Sequence, residues 1–172
     1  MRDLVPWSFL ARLGSHRRTR TPASRWSGER EQDMECRVKW AGEGMSFVAE
    51  TGSNHVVVMD GAPEAGGRNL APRPMELVLA GTGGCAACDV VLILKKGRQA
   101  VTGCEVSLQA ERAEAEPRVF TRIHFHFRVT GKQLKAEAVA RAIELSKEKY
   151  CSASIMLGKT AAITHDFEIV EA

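Results

Sequence analysis

The chain has 172 residues, 44% of them hydrophobic and 26% charged, which is enough to bury the core of one globular domain. Its formal charge of +3 sits in residues 1–33, where seven Arg face Asp3, Glu29, Glu31 and Asp33, so residues 34–172 balance 17 basic against 17 acidic side chains. A neutral domain lacks the cationic footprint that nucleic-acid binding needs, and five cysteines with no long apolar signal region before them fit free thiols in a reducing cytoplasm better than a disulfide framework.

Residues 1–33 are rich in Arg, Ser, Thr and Trp, show no period, and end in the polar run Ser27-Gly-Glu-Arg-Glu-Gln-Asp33. Too little apolar surface is present to order them, so they are expected as a disordered extension outside the fold. Their composition resembles a transit peptide, but an upstream start codon is the favoured reading, because a strand pattern begins at once after Met34. The domain is therefore expected over residues 34–172.

Cys36-Arg-Val-Lys-Trp40 reads as a strand, Ala41-Gly-Glu-Gly44 as a turn, Met45 to Glu50 as the return strand, and His55-Val-Val-Val-Met59 as a third. This antiparallel meander leads through a Gly/Pro/Ala loop, Gly61 to Pro72, into a long helix from Arg73 to Lys95. Pro74 in its first turn and Gly97 beyond its end are start and stop signals.

Almost every residue of that helix is apolar or small, so it is expected either to cross a membrane or to form the buried axis of a domain. Only the twelve residues Leu77 to Cys88 run without a charge, and Glu76 and Asp89 would be costly in lipid, which favours the buried axis. Gly81, Gly83 and Gly84 each cost about 1 kcal/mol relative to Ala, and a helix or subunit packing closely beside Cys85 would offset that. Cys85-Ala-Ala-Cys88 lacks the second pair of a zinc ribbon and lies too deep in the helix for a thioredoxin-like motif.

After Gly97 two strands alternate cleanly. Cys104, Val106, Leu108 and Ala110 share one face of the first; Val119, Thr121, Ile123, Phe125, Phe127 and Val129 share one face of the second. His124 and His126 point together to the wet face, where cross-strand charge pairing with the Glu105/Glu111 row is expected rather than metal binding. A second helix follows from Leu134 to Lys149, with a Glu137/Arg141 pair on its outer face. Cys151 lies at the next junction, where Ser152 is expected to cap a short helix whose dipole would stabilise a thiolate. A final strand, Ala162 to Val170, closes the sheet. Either thiol alone is a common core residue, but Cys85 and Cys151 together make a candidate attacking and resolving pair.

The order of elements, with Pro74-Met-Glu-Leu77, Gly83-Gly-Cys85 and Glu148-Lys-Tyr-Cys-Ser152, resembles the OsmC/Ohr family of osmotically inducible and organic-hydroperoxide-resistance proteins, and looks most like its YhfA-like branch. The resemblance covers Met34 to Ala172. It implies an α+β, OsmC-like (KH-related) fold, with antiparallel sheets wrapped around two central helices in an intertwined homodimer and active sites at the interface. It implies a thiol peroxidase in which Cys85 attacks an organic hydroperoxide and Cys151 condenses with the resulting sulfenic acid. No bound cofactor, metal, nucleic-acid or membrane partner is implied; a lipoyl-type dithiol is the expected reductant.

Three positions depart from the family pattern. Where the family places a Glu that holds an Arg over the attacking thiol, this chain has Met75, with Glu76 one place later as a candidate support. The first hairpin turn carries no Arg, leaving Arg37, Arg68 and Arg73 as substitutes, and Ser152 follows Cys151 where a Pro is usual. The alternative function is a non-catalytic homodimer that binds a small hydrophobic ligand or partner in its interface cleft. Gly81-Thr-Gly-Gly84 is similar to the Gly-x-x-Gly of KH modules, but its place in an apolar helix of a neutral domain argues against RNA.

Overall fold

A computed structural model describes residues 34–172, so the expectations for residues 1–33 lie outside the described residues. Two three-stranded sheets form. The first holds β1 (Cys36–Trp40), β2 (Phe47–Thr51) and β3 (Val56–Met59), antiparallel throughout, with Cys36 opposite Thr51 and Phe47 opposite Met59. All of β1 is exposed, and Val38, Trp40, Val56 and Val58 present apolar side chains to the outside.

Asp60 ends the meander and organises the following loop. Its buried carboxylate accepts hydrogen bonds from the Gly61, Arg68 and Leu70 N–H groups and from Ser46 Oγ. These donors hold its carboxyl below the usual range, with the Leu70 N–H contributing most. The loop, which includes a short 3-10 turn at Pro63–Ala65, thus delivers the chain to α1 (Pro74–Lys96) in a fixed place.

At the start of α1 the Glu76 carboxylate accepts the Arg73 N–H at 2.8 Å, and Lys95 and Lys96 lie in the last turn, where positive charge suits the helix dipole. The buried residues Gly83, Ala86, Val90 and Leu94 recur every three or four places and, with the adjacent Thr82, form one stripe. Within one chain the burial of α1 is partial. Although α1 is long and apolar enough to cross a membrane, only 28% of its most apolar window is buried within the chain, and Val78 and Leu92 are exposed.

The second sheet has the order β4-β5-β6, with β4 (Ala100–Arg112) and β5 (Phe120–Lys132) antiparallel. The last strand, β6 (Ala162–Glu171), pairs with β5 in parallel, so this sheet is mixed rather than wholly antiparallel. The helical connection between β5 and β6 makes that direction possible. Ile123, Phe125, Phe127 and Val129 face inward as the alternation predicts. An irregularity between Glu111 and Arg112 sets Arg112 opposite Phe120, and near the hairpin end Phe120 is buried whereas Val119 and Thr121 are exposed.

The outer face of the second sheet is a charge ladder. Arg122 pairs with Glu111 as expected, but Arg128 pairs with Glu168 and both His124 and His126 reach Asp166, partners supplied by β6. Against the inner face pack α1 and α2 (Ala136–Leu145), closing a core around Val90, Leu94, Ile123, Val129, Val139 and Ile143. Leu134 falls before α2, and Arg141 pairs with Glu144 rather than Glu137.

Candidate active site

The site forms where α1 meets the end of α2. Beyond Leu145 the helix widens into a π-helical turn, Ser146–Tyr150, closed by the Cys151 N–H donating to Ser146 O at 2.8 Å. Such a turn is costly relative to regular helix and is often retained at functional sites. Here it precedes an extended Cys151, after which α3 (Ser152–Leu157) begins.

Cys151 is fully buried. Its Sγ accepts the Ser154 N–H at 3.4 Å, and its S–H lies 3.9 Å from Thr82 O on α1. The cap of α3 is therefore the thiol itself, which replaces the expected role of Ser152. Burial raises the Cys151 thiol above its ordinary range, and the neighbouring Cys85 adds to the rise; the Ser154 hydrogen bonds oppose it without reversing it. The expected net stabilisation of a thiolate at this junction is thus corrected.

Cys85 lies at the middle of α1, half-buried, two helical positions past Gly83. A side chain at Gly83 would come within 2.5 Å of Leu108 Cδ1, so this glycine lets β4 approach the helix close to Cys85. Gly81 and Gly84 instead face open space within the chain. Within the chain the close partner is β4, at Gly83.

The two thiols meet, and a third group joins them. One oxygen of Asp89 and the sulfurs of Cys85 and Cys151 all lie within 4.8 Å of one another. Cys85 and Asp89 share a face of α1 because they are four residues apart. Ser146, 1% exposed, donates its hydroxyl to Asp89 Oδ2 at 3.0 Å. In sequence Asp89 stands out as a charge opposed to a membrane span, and its four-residue spacing from Cys85 is the signal for its place here. Cys88 is exposed, Cys36 is exposed on β1, and Cys104 is half-buried in β4 with its thiol raised by burial.

Glu76 does not join this group. Nine residues separate it from Cys85, about 13 Å along a helix axis, and its carboxylate is engaged by Arg73. Met75 packs against the core. Of the three substitute arginines, Arg68 lies against the first hairpin turn, pairing with Glu43 at 3.8 Å. Among the described residues no ion pair forms at Asp89, whose carboxylate instead accepts the Ser146 hydroxyl.

Beside the thiols a small cleft has apolar walls from Ala86, Phe125, Phe127, Ile143 and Ile163, with Ser146, Ser154, Lys147 and His165 also lining it. Its closed volume is about 10 Å³, room for about one water.

A family model described as OsmC-like protein matches residues 66–166. Protein YhfA of Escherichia coli strain K12 is 55% identical over 139 residues, which cover 81% of this chain and all of that protein. A crystal structure of a hypothetical protein from Aquifex aeolicus VF5 is similar with a TM-score of 0.71 and 26% identity, covering 82% of this chain and 98% of the other. An organic hydroperoxide resistance protein OsmC from Legionella pneumophila superposes with a TM-score of 0.62 at 12% identity, covering 81% and 99% of the two chains, a likeness of fold.

Proposed function

The chain belongs to the OsmC family, in its YhfA-like branch, and from that membership we propose that it reduces organic hydroperoxides through Cys85 and Cys151 in defence against oxidative stress. The observation that carries this reading is the meeting of the two thiols within 4.8 Å, one half-buried and the other fully buried. That difference in access orders their roles. Cys85 Sγ attacks the hydroperoxide oxygen, the O–O bond breaks, and an alcohol leaves as Cys85 becomes a sulfenic acid. Cys151, which a substrate in solution does not reach, attacks that sulfur; water leaves, and a disulfide forms at about 2.05 Å. A lipoyl-type dithiol then exchanges with the disulfide and restores both thiols.

The functional unit is a cytoplasmic homodimer. Its support is the apolar face of α1 left open by a single chain, together with the exposed apolar side chains of the meander. The apolar walls beside the site favour organic over hydrogen peroxide.

The test is cumene hydroperoxide consumption by the full chain with dihydrolipoamide as reductant, compared with Cys85→Ser and Cys151→Ser. Turnover by the natural chain and its loss in both variants is the expected result. Absence of turnover in the natural chain would refute the enzyme and leave the alternative, a homodimer that binds a hydrophobic ligand between its chains.

A further inference from the structure

Three donors converge where α1 meets the end of α2. The Cys85 and Cys151 sulfurs and an Asp89 oxygen lie within 4.8 Å of one another, and among the described residues no Lys, Arg or His forms an ion pair with Asp89. Two thiolates and a carboxylate packed together would repel one another strongly in a partly buried place. A peroxidase cycle uses two sulfurs in sequence and does not itself call for a carboxylate held between them. A divalent cation does account for that third group, since it binds all three and displaces both thiol protons.

We propose that the reduced protein binds one zinc-class divalent ion through Cys85 Sγ, Cys151 Sγ and a carboxylate oxygen of Asp89. The donor set is two soft sulfurs and one oxygen, a combination suited to Zn²⁺ and unsuited to Mg²⁺ or Ca²⁺. A tetrahedral zinc ion needs neighbouring sulfurs about 3.8 Å apart, so the three groups close by about 1 Å at most, within reach of side-chain adjustment. Each of two ligands already has an outer partner: Ser146 Oγ donates to Asp89 Oδ2, and the Ser154 N–H donates to Cys151 Sγ. Such supports orient metal ligands and sharpen affinity. A hydroxyl on Asp89 Oδ2 still leaves lone pairs on both oxygens. With three protein ligands, the fourth position is left to water or another small donor.

Binding releases the two thiol protons to solvent. Formation of a Cys85–Cys151 disulfide removes both sulfur donors, so the ion and the disulfide exclude each other. The ion therefore belongs to the reduced state alone. This site goes beyond the peroxidase reading, and its test reads no turnover.

The experiment is a Co²⁺ titration of the reduced full chain, followed by thiolate-to-cobalt charge transfer in the near ultraviolet and by the visible bands of a tetrahedral ion. Uptake of one ion per chain, displaced by Zn²⁺, is expected. Cys85→Ser and Cys151→Ser should each remove one thiolate's share of the charge-transfer intensity. Asp89→Asn keeps the Ser146 hydrogen bond and both thiols, and should weaken binding by about tenfold or more at unchanged charge-transfer intensity. Cys88→Ser and the double variant His124→Ala/His126→Ala should leave uptake unchanged. No thiolate band in the natural chain, or a band of full intensity in Cys85→Ser or Cys151→Ser, would overturn the proposal. So would an Asp89→Asn variant that binds as tightly as the natural chain, with circular dichroism of each variant confirming that it is folded.

Discussion

The paired substitution Gly81→Ala/Gly84→Ala tests what covers the open face of α1. Within one chain a Cβ at either position meets no atom within 4 Å, and neither residue has a positive φ. Helix propensity alone then predicts a gain of about 1 kcal/mol per site, or about 2 kcal/mol together. That gain would move a urea midpoint upward by about 1 M and would not depend on protein concentration. If a second α1 packs here, each added methyl instead meets a close backbone and costs about 1–3 kcal/mol of overpacking. The sign reverses, and the loss is felt in the dimer. We expect the second outcome: a lower midpoint, and a sedimentation equilibrium shifted toward monomer. Denaturation at two protein concentrations tenfold apart reads both. A stabilised variant with a concentration-independent midpoint would refute the reasoning that this face is the dimer interface.

Other expectations follow from individual contacts. Because burial raises the Cys151 thiol, the rate of disulfide formation after a single hydroperoxide addition should climb as pH rises through and above the ordinary thiol range, as stopped flow can follow. Glu76→Ala should cost about 1 kcal/mol of stability through loss of its contact with the Arg73 N–H, while turnover persists; loss of turnover with intact stability would restore Glu76 to the site. The Asp60 carboxyl is depressed in the folded chain, so its contribution is present above its unfolded pKa and disappears as pH falls through the lower folded value. Thermal unfolding across acid pH should therefore show a steeper loss in the natural chain than in Asp60→Asn.

Much of the architecture was legible because it rests on local pattern. The meander, the caps of α1 and the inward row Ile123, Phe125, Phe127 and Val129 are set by alternation, Pro, Gly and a carboxylate in the first turn. What escaped depends on register or on a neighbour distant in sequence. The inward turn of Phe120 accompanies a strand irregularity that no alternation reveals, and the histidines find Asp166 on β6, forty residues and two helices away from His126. The apolar character of α1 points to a buried axis without naming what covers it. A single chain buries one stripe of it, since a pattern of side chains does not say whether the covering atoms come from the same chain.

The site shows the same limit in its chemistry. Two cysteines can be nominated from a sequence, and their meeting follows from a helix that ends in a π-helical turn and places Cys151 against Thr82 O. Asp89 could be nominated only by its four-residue spacing from Cys85, which is also the spacing of countless surface pairs. Its significance comes from Ser146, 57 residues downstream, whose buried hydroxyl donates to that carboxylate beside the sulfurs. If Asp89 served only to satisfy Ser146, Asp89→Asn would preserve the hydrogen bond and change neither metal affinity nor thiol chemistry. A change in either one, with the fold intact, requires the negative charge itself to act on Cys85 and Cys151.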